Sequence, residues 1–98
     1  MAAEGFDMLE RVKANIGLSG NDFHDDTIRG HIAEVQRFLI DGGVDEAVAG
    51  SEAAVGVVTR GVSDLWNYGA GGASLSPYFL QAAAQLAYRP PEGGDGDA

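Results

Sequence analysis

Val55, Val58, Val62 and Leu65 recur at i, i+3, i+7 and i+10, and this spacing constrains the fold more than any other feature of the chain. Valine favours pleated surfaces, so composition alone would offer a strand here. Alternation with a period of two fails where Val57 and Val58 stand side by side, whereas the four spaced residues share one face of a helix. A helix is therefore expected. Gly56 and Gly61 each cost it about 1 kcal/mol relative to alanine, so either a neighbouring backbone comes close there, the favoured reading, or the sequence tolerates a weak helix.

A glycine-rich break at Gly69 to Gly72 separates this element from the next. Ser76 can accept a hydrogen bond from an unpaired first-turn N–H, and Pro77 lacks the N–H that the first helical position leaves unpaired. A helix is expected to start there. Phe79, Ala83 and Leu86 form its apolar stripe, with Ala82, Ala84 and Ala87 permitting close approach. Pro90-Pro91 ends it.

Upstream, Ile28, Ile32, Val35 and Leu39 lie at i, i+4, i+7 and i+11, with Phe38 widening the stripe. This is the clearest amphipathic pattern in the chain. Asp22, Asp25 and Asp26 sit where the free N–H groups at a helix start favour acids, and Asp41-Gly42-Gly43 supplies a glycine-terminated end. A shorter stripe of Phe6, Leu9, Val12 or Lys13, and Ile16 precedes it. Leu18-Ser19-Gly20-Asn21 is expected to close that first helix and to lead into a loop reaching His24. Between Val44 and Gly50 one helical turn at Asp45 to Val48 fits, and Ser51 is the expected N-cap of the valine helix.

The fold expected is all-α: a small bundle of three main helices plus a short N-terminal helix, in one domain over residues 1–89. Residues 90–98 carry no apolar anchor, and a flexible, disordered acidic tail is expected there. With no cysteine, neither disulfides nor thiolate metal sites can support the fold. A chain of 98 residues also buries only a modest share of its surface, so packing against copies of itself or a larger support is expected to help.

Fifteen Asp and Glu against six Lys and Arg give a net charge of −9. Such a surface repels phosphate, which argues against a DNA-reading role, although a repulsive wall suits a conduit through which DNA passes without specific binding. The apolar runs are far shorter than the ~20 residues a membrane-crossing helix needs. The amino terminus lacks the basic and apolar regions of a secretory signal, so the protein is expected to be made in the cytoplasm.

The residues suggest no enzyme. His24 and His31 stand seven apart and could share a helix face around a metal, but capping or solvent-facing histidines are the expected reading. Asn21 to Asp26 lacks the alternating ligands, central glycine and terminal glutamate of a calcium loop. The serines lack a nucleophile elbow, and Gly69 to Gly72 lacks the lysine and hydroxyl of a phosphate loop. No cofactor is implied. Trp66, Tyr68 and Tyr78 flank the glycine loop, where aromatic residues act as core lids or as interface anchors.

The order of these elements resembles the head-to-tail connector (adaptor, head-completion) proteins of tailed bacteriophages. The resemblance spans about residues 6–89. It rests on Leu9-Glu10-Arg11-Val12-Lys13 in a short first helix, Asp25-Asp26 before Ile28, and Leu65-Trp66-Asn67-Tyr68 ahead of the glycine loop. Leu75-Ser76-Pro77 opening the last helix and Leu86-Ala87-Tyr88-Arg89 closing it complete the set. Where family members commonly have leucine followed by tyrosine, this chain has Leu65-Trp66, and its glycine loop replaces a charged or polar one.

The resemblance implies a virion structural protein that assembles as a homo-oligomeric ring, typically of twelve copies, beneath the portal at the capsid vertex. Such a ring extends the DNA channel and docks the next head-completion (stopper) or tail protein. It further implies that Tyr88, Arg89, Pro90, Pro91 and Glu92 reach the portal protein, and that Trp66, Tyr68, Leu75 and Tyr78 make inter-subunit or loop contacts. The charge alone supports an alternative, a small acidic regulatory or antitoxin-like protein that covers a basic partner.

Overall fold

The computed structural model describes residues 6–69 and 75–88. The glycine-rich stretch 70–74 and the acidic tail, with Arg89, Pro90, Pro91 and Glu92, lie outside the described residues. The elements are α1 (Met8–Asn15), α2 (Asp25–Asp41), the single turn α3 (Glu46–Ala49), a 3-10 turn (Glu52–Ala54), α4 (Val55–Tyr68) and α5 (Pro77–Ala87). The fold is all-α, with no strand among the described residues. None of the described helices is long and apolar enough to cross a membrane.

The expected stripes form one core. Ile28, Ile32, Val35 and Leu39 of α2 meet Val58, Val62 and Leu65 of α4. Leu9 and Val12 of α1 close one side, and Phe79 and Leu86 of α5 the other. The alternative of Val12 or Lys13 resolves as both, since each is fully buried.

Two helices end in the same device. After α2, Gly43 takes a positive φ of 107°, the Val44 N–H donates to the Leu39 carbonyl at 2.9 Å, and the Gly43 N–H donates to that of Ile40 at 3.0 Å. This glycine-dependent end brings buried Val44 onto buried Leu39. After α1, Gly17 has φ 83°, and the Leu18 N–H reaches the Lys13 carbonyl at 2.7 Å. The first helix thus closes at Gly17, one residue before the expected turn, because only a glycine enters that backbone region without strain.

Ser51 does not cap the valine helix directly. Its hydroxyl accepts the Ala53 N–H at 3.2 Å and starts the 3-10 turn that feeds α4. The expected turn at Asp45 is present, with the Asp45 carboxylate accepting the Ala47 N–H at 2.8 Å, and Gln36 ties it to α2 through the Ala49 carbonyl at 3.2 Å.

The two glycines of α4 differ. A Cβ on Gly61 would stand 2.8 Å from both Val35 methyls and 2.9 Å from the Phe79 ring, whereas one on Gly56 would meet nothing within 4 Å. Close packing accounts for Gly61, although the neighbours are the Val35 and Phe79 side chains and not a backbone, and it does not account for Gly56, which is exposed.

Candidate functional site

At the start of α5 the expected cap is in place, with the Ser76 hydroxyl accepting the Phe79 N–H at 3.2 Å and Pro77 at the first helical position. The Ser76 main-chain N–H donates in turn to the carboxylate of Asp64 at 2.9 Å. Asp64 is buried, and Leu75 beside the joint belongs to the core. Leu75, expected to make inter-subunit or loop contacts, is 8% exposed and packs in the core.

From this anchored start α5 runs for eleven residues without a charge. Phe79 and Leu86 face the core, while Tyr78 is 75% exposed, Leu80 45% and Tyr88 89%. Of the three tyrosines expected to make contacts, Tyr78 in α5 and Tyr88 at its C-cap face outwards, and the side chain of Tyr68 lies outside the described residues. Leu80, Ala83 and Ala84 also form one wall of an apolar groove of about 160 Å³, whose other wall is Phe38, Leu39, Gly42 and Val44.

A second, larger groove of about 580 Å³ lies between α4 and the end of α1, lined by Asn15, Ile16, Leu18, His24, Thr59, Arg60, Ser63, Trp66 and Asn67 among others. Trp66 is 39% exposed, so it serves both as a partial cover and as a groove wall. His24 meets it edge-on with ring centres 5.0 Å apart, and His31 does so at 6.3 Å. The histidines act as aromatic neighbours of Trp66. His24 stands at the N-cap position of α2 without a capping side-chain bond. Asn15 on α1 donates to the Thr59 hydroxyl on α4 at 3.1 Å across the groove's edge.

The acids around the start of α2 have a role that their helix-start position did not suggest. Lys13 Nζ lies 2.8 Å from Asp25 Oδ1, 2.9 Å from Asp22 Oδ1 and 3.8 Å from Glu10. The contacts to Asp25 first, and to Asp22 next, hold the Lys13 ammonium well above the ordinary lysine value against the opposing effect of its burial. This pair of contacts fixes α1 to the start of α2. A weaker tie is the exposed Arg11–Glu52 ion pair, and the Arg11 guanidinium also lies 5.4 Å from the centre of the Phe6 ring.

The sequence reading did not single out Asp64, and it placed Lys13 only as an alternative to Val12 in the first apolar stripe, not as the centre of an ion cluster. Lys13 had a partial signal, since it neighbours an apolar stripe with acids downstream. Among the described residues no group of three or more His, Cys, Asp or Glu could hold a metal ion. Among the described residues the arrangement is a helical scaffold that carries the two grooves described above and an uncharged face on α5. Comparison of the chain with protein-family models, curated proteins and solved structures gave no match.

Proposed function

We propose that the protein is a structural adaptor of a tailed-phage virion, assembling as a ring beneath the portal and docking the next head-completion or tail protein. The observation that carries this reading is the outward face of α5. In a chain of net charge −9, it places Tyr78, Leu80 and Tyr88 in solvent on a helix without charges. Exposed aromatic residues on an otherwise charged surface are typical of protein contact sites. Tyr88 leads directly into the segment that the connector resemblance assigns to the portal. The acidic surface leaves DNA free to pass through the ring without specific binding.

The test uses particles assembled without the protein, viewed by electron microscopy. DNA-filled or leaking heads without tails are expected, and normal tailed virions overturn the reading. In vitro, the full chain should be retained on immobilised portal protein. A chain truncated after Arg89 should keep its helical circular dichroism and lose that retention. Capture of a basic toxin or a nucleic-acid enzyme in place of portal would favour the acidic regulatory alternative.

A further inference from the structure

Helix α4 has a second face besides its apolar stripe. Gly56, Thr59 and Arg60, Ser63, and Trp66 and Asn67 follow one another at helical spacing and line the groove of about 580 Å³. Grooves that hold small ligands commonly measure ~300–1,000 Å³. Ile16, Leu18 and His24 contribute the facing wall.

Three features of this groove select an occupant. Among the described residues Arg60 is the one Lys, Arg, Asp or Glu in its lining. Its guanidinium has no ion-pair partner among them, whereas Arg11, Lys13 and Arg29 each have one. The acid four residues on, which a helical arginine ordinarily meets, is Asp64, and that carboxylate is buried and accepts the Ser76 N–H instead. Arg37 is likewise without an ion pair among the described residues, but it lines neither groove. Trp66, the single tryptophan of the chain, is flanked edge-on by the rings of His24 and His31 and keeps 39% of its surface exposed. Gly56 costs the helix about 1 kcal/mol, yet an added Cβ there would meet nothing within 4 Å. A helical glycine that no neighbour in the chain requires leaves room for something that approaches the backbone from outside. Long side chains on a helix lean over the preceding turn, which for Arg60 is the turn of Gly56.

We infer that this groove binds a flat aromatic ring that carries one carboxylate, with the carboxylate on Arg60 above Gly56 and the ring between Trp66 and Leu18. A guanidinium takes a carboxylate through two parallel N–H···O bonds, and an indole takes an aromatic ring by offset stacking or edge contact. One cation in a chain of net charge −9 matches a monoanion, whereas a doubly charged phosphate would bring an uncompensated charge to an acidic surface. Arg60 and Trp66 stand six residues apart, about 9 Å along the helix axis, so a two-ring carboxylate engages both. The same chemistry is offered by a free aromatic acid and by an aromatic residue at the end of a polypeptide. No residue of α5 lines the groove, so the site does not depend on the adaptor reading.

The single tryptophan gives the full chain one indole N–H signal in a proton–nitrogen correlation spectrum, and that signal reads the site directly. Titration with naphthoate, or with an acetylated tripeptide ending in phenylalanine, should shift it to saturation, and the tighter of the two distinguishes a free acid from a chain end. Naphthylmethanol, which keeps the rings and lacks the charge, should bind about tenfold more weakly. Naphthoate should lose about the same factor on Arg60→Gln, as expected for a charge-assisted hydrogen-bonded pair. Gly56→Leu, checked for unchanged helical circular dichroism, fills the space above the helix and should weaken naphthoate to a similar degree. An indole signal unmoved by both acids at millimolar concentration, equal affinity for naphthylmethanol, or undiminished binding by Arg60→Gln or Gly56→Leu overturns the proposal. Retention on portal protein is scored separately, so failure of this site and failure of the adaptor reading are distinguishable.

Discussion

Asp64 on α4 and Ser76 at the head of α5 are joined by a 2.9 Å hydrogen bond from the Ser76 main-chain N–H to the buried carboxylate. The bond spans the glycine-rich loop and sets where α5 begins. Through it, the position of the uncharged face of α5 depends on a side chain of α4.

Removing the acceptor leaves the Ser76 N–H in a partly buried joint without a partner, a loss of about 1–3 kcal/mol. Asp64→Ala is therefore expected to lower the urea unfolding midpoint substantially. Asp64→Asn, which keeps an acceptor oxygen, should recover part of the loss. Equal effects of the two variants would show that side-chain bulk, not the hydrogen bond, is what matters at this position.

The Ser76 hydroxyl satisfies the next donor, the Phe79 N–H at 3.2 Å. Ser76→Ala should cost about 1 kcal/mol, and Ser76→Gly only a few tenths. Because Asp64 and Ser76 act on the same turn, Asp64→Ala combined with Ser76→Ala should not be additive. A double-mutant cycle from equilibrium unfolding measures that coupling.

Gly61 and Gly56 make a matched pair of opposite sign. At Gly61 an added methyl would stand 2.8 Å from Val35 and 2.9 Å from Phe79, and forcing extra carbon into a packed core costs about 1–3 kcal/mol. That outweighs the gain of about 1 kcal/mol in helix propensity, so Gly61→Ala should lower the melting temperature. Gly56→Ala meets open space and should raise it.

What the sequence made legible follows from the range of each interaction. The stripe from Ile28 to Leu39 and the cap at Ser76-Pro77 involve residues within a few positions of one another, so spacing alone revealed them. Lys13 finds Asp22 and Asp25 only because α1 folds back on the loop, and Asp64 finds Ser76 only across the loop between α4 and α5. Neither pairing leaves a periodic trace. Gly56 and Gly61 look alike in sequence, yet Gly61 adjoins the stripe of Val58, Val62 and Leu65 while Gly56 lies away from it, a difference that a helical wheel could have exposed. Of the expected contact residues, Tyr78 and Tyr88 face solvent, Trp66 does so in part, and Leu75 is in the core. The side chain of Tyr68 is outside the described residues.

Lys13 gives the fold a dependence on alkaline pH. Its folded-state value lies above the ordinary lysine value of 10.5, so below 10.5 both folded and unfolded chains hold the proton and the stabilising contribution is complete. As the pH rises past that point the unfolded chain releases its proton first, and the contribution is lost by the time the folded value is passed. Lys13→Met removes the ammonium and leaves the enclosed Oδ1 of Asp25 without its cation, which should destabilise the protein at neutral pH. The expected signature is a gap in melting temperature between parent and variant that is widest below 10.5 and narrows above it. Tyrosine ionisation affects both chains alike and cancels in the difference. Added salt should change the gap little, because the ammonium is buried, whereas the exposed Arg11–Glu52 pair, removed by Glu52→Gln, should contribute at most about 1 kcal/mol and fade in salt. A gap that is constant across the alkaline range would mean that Lys13 acts through packing of its aliphatic stem, and would remove the ion cluster from the account of how α1 is held.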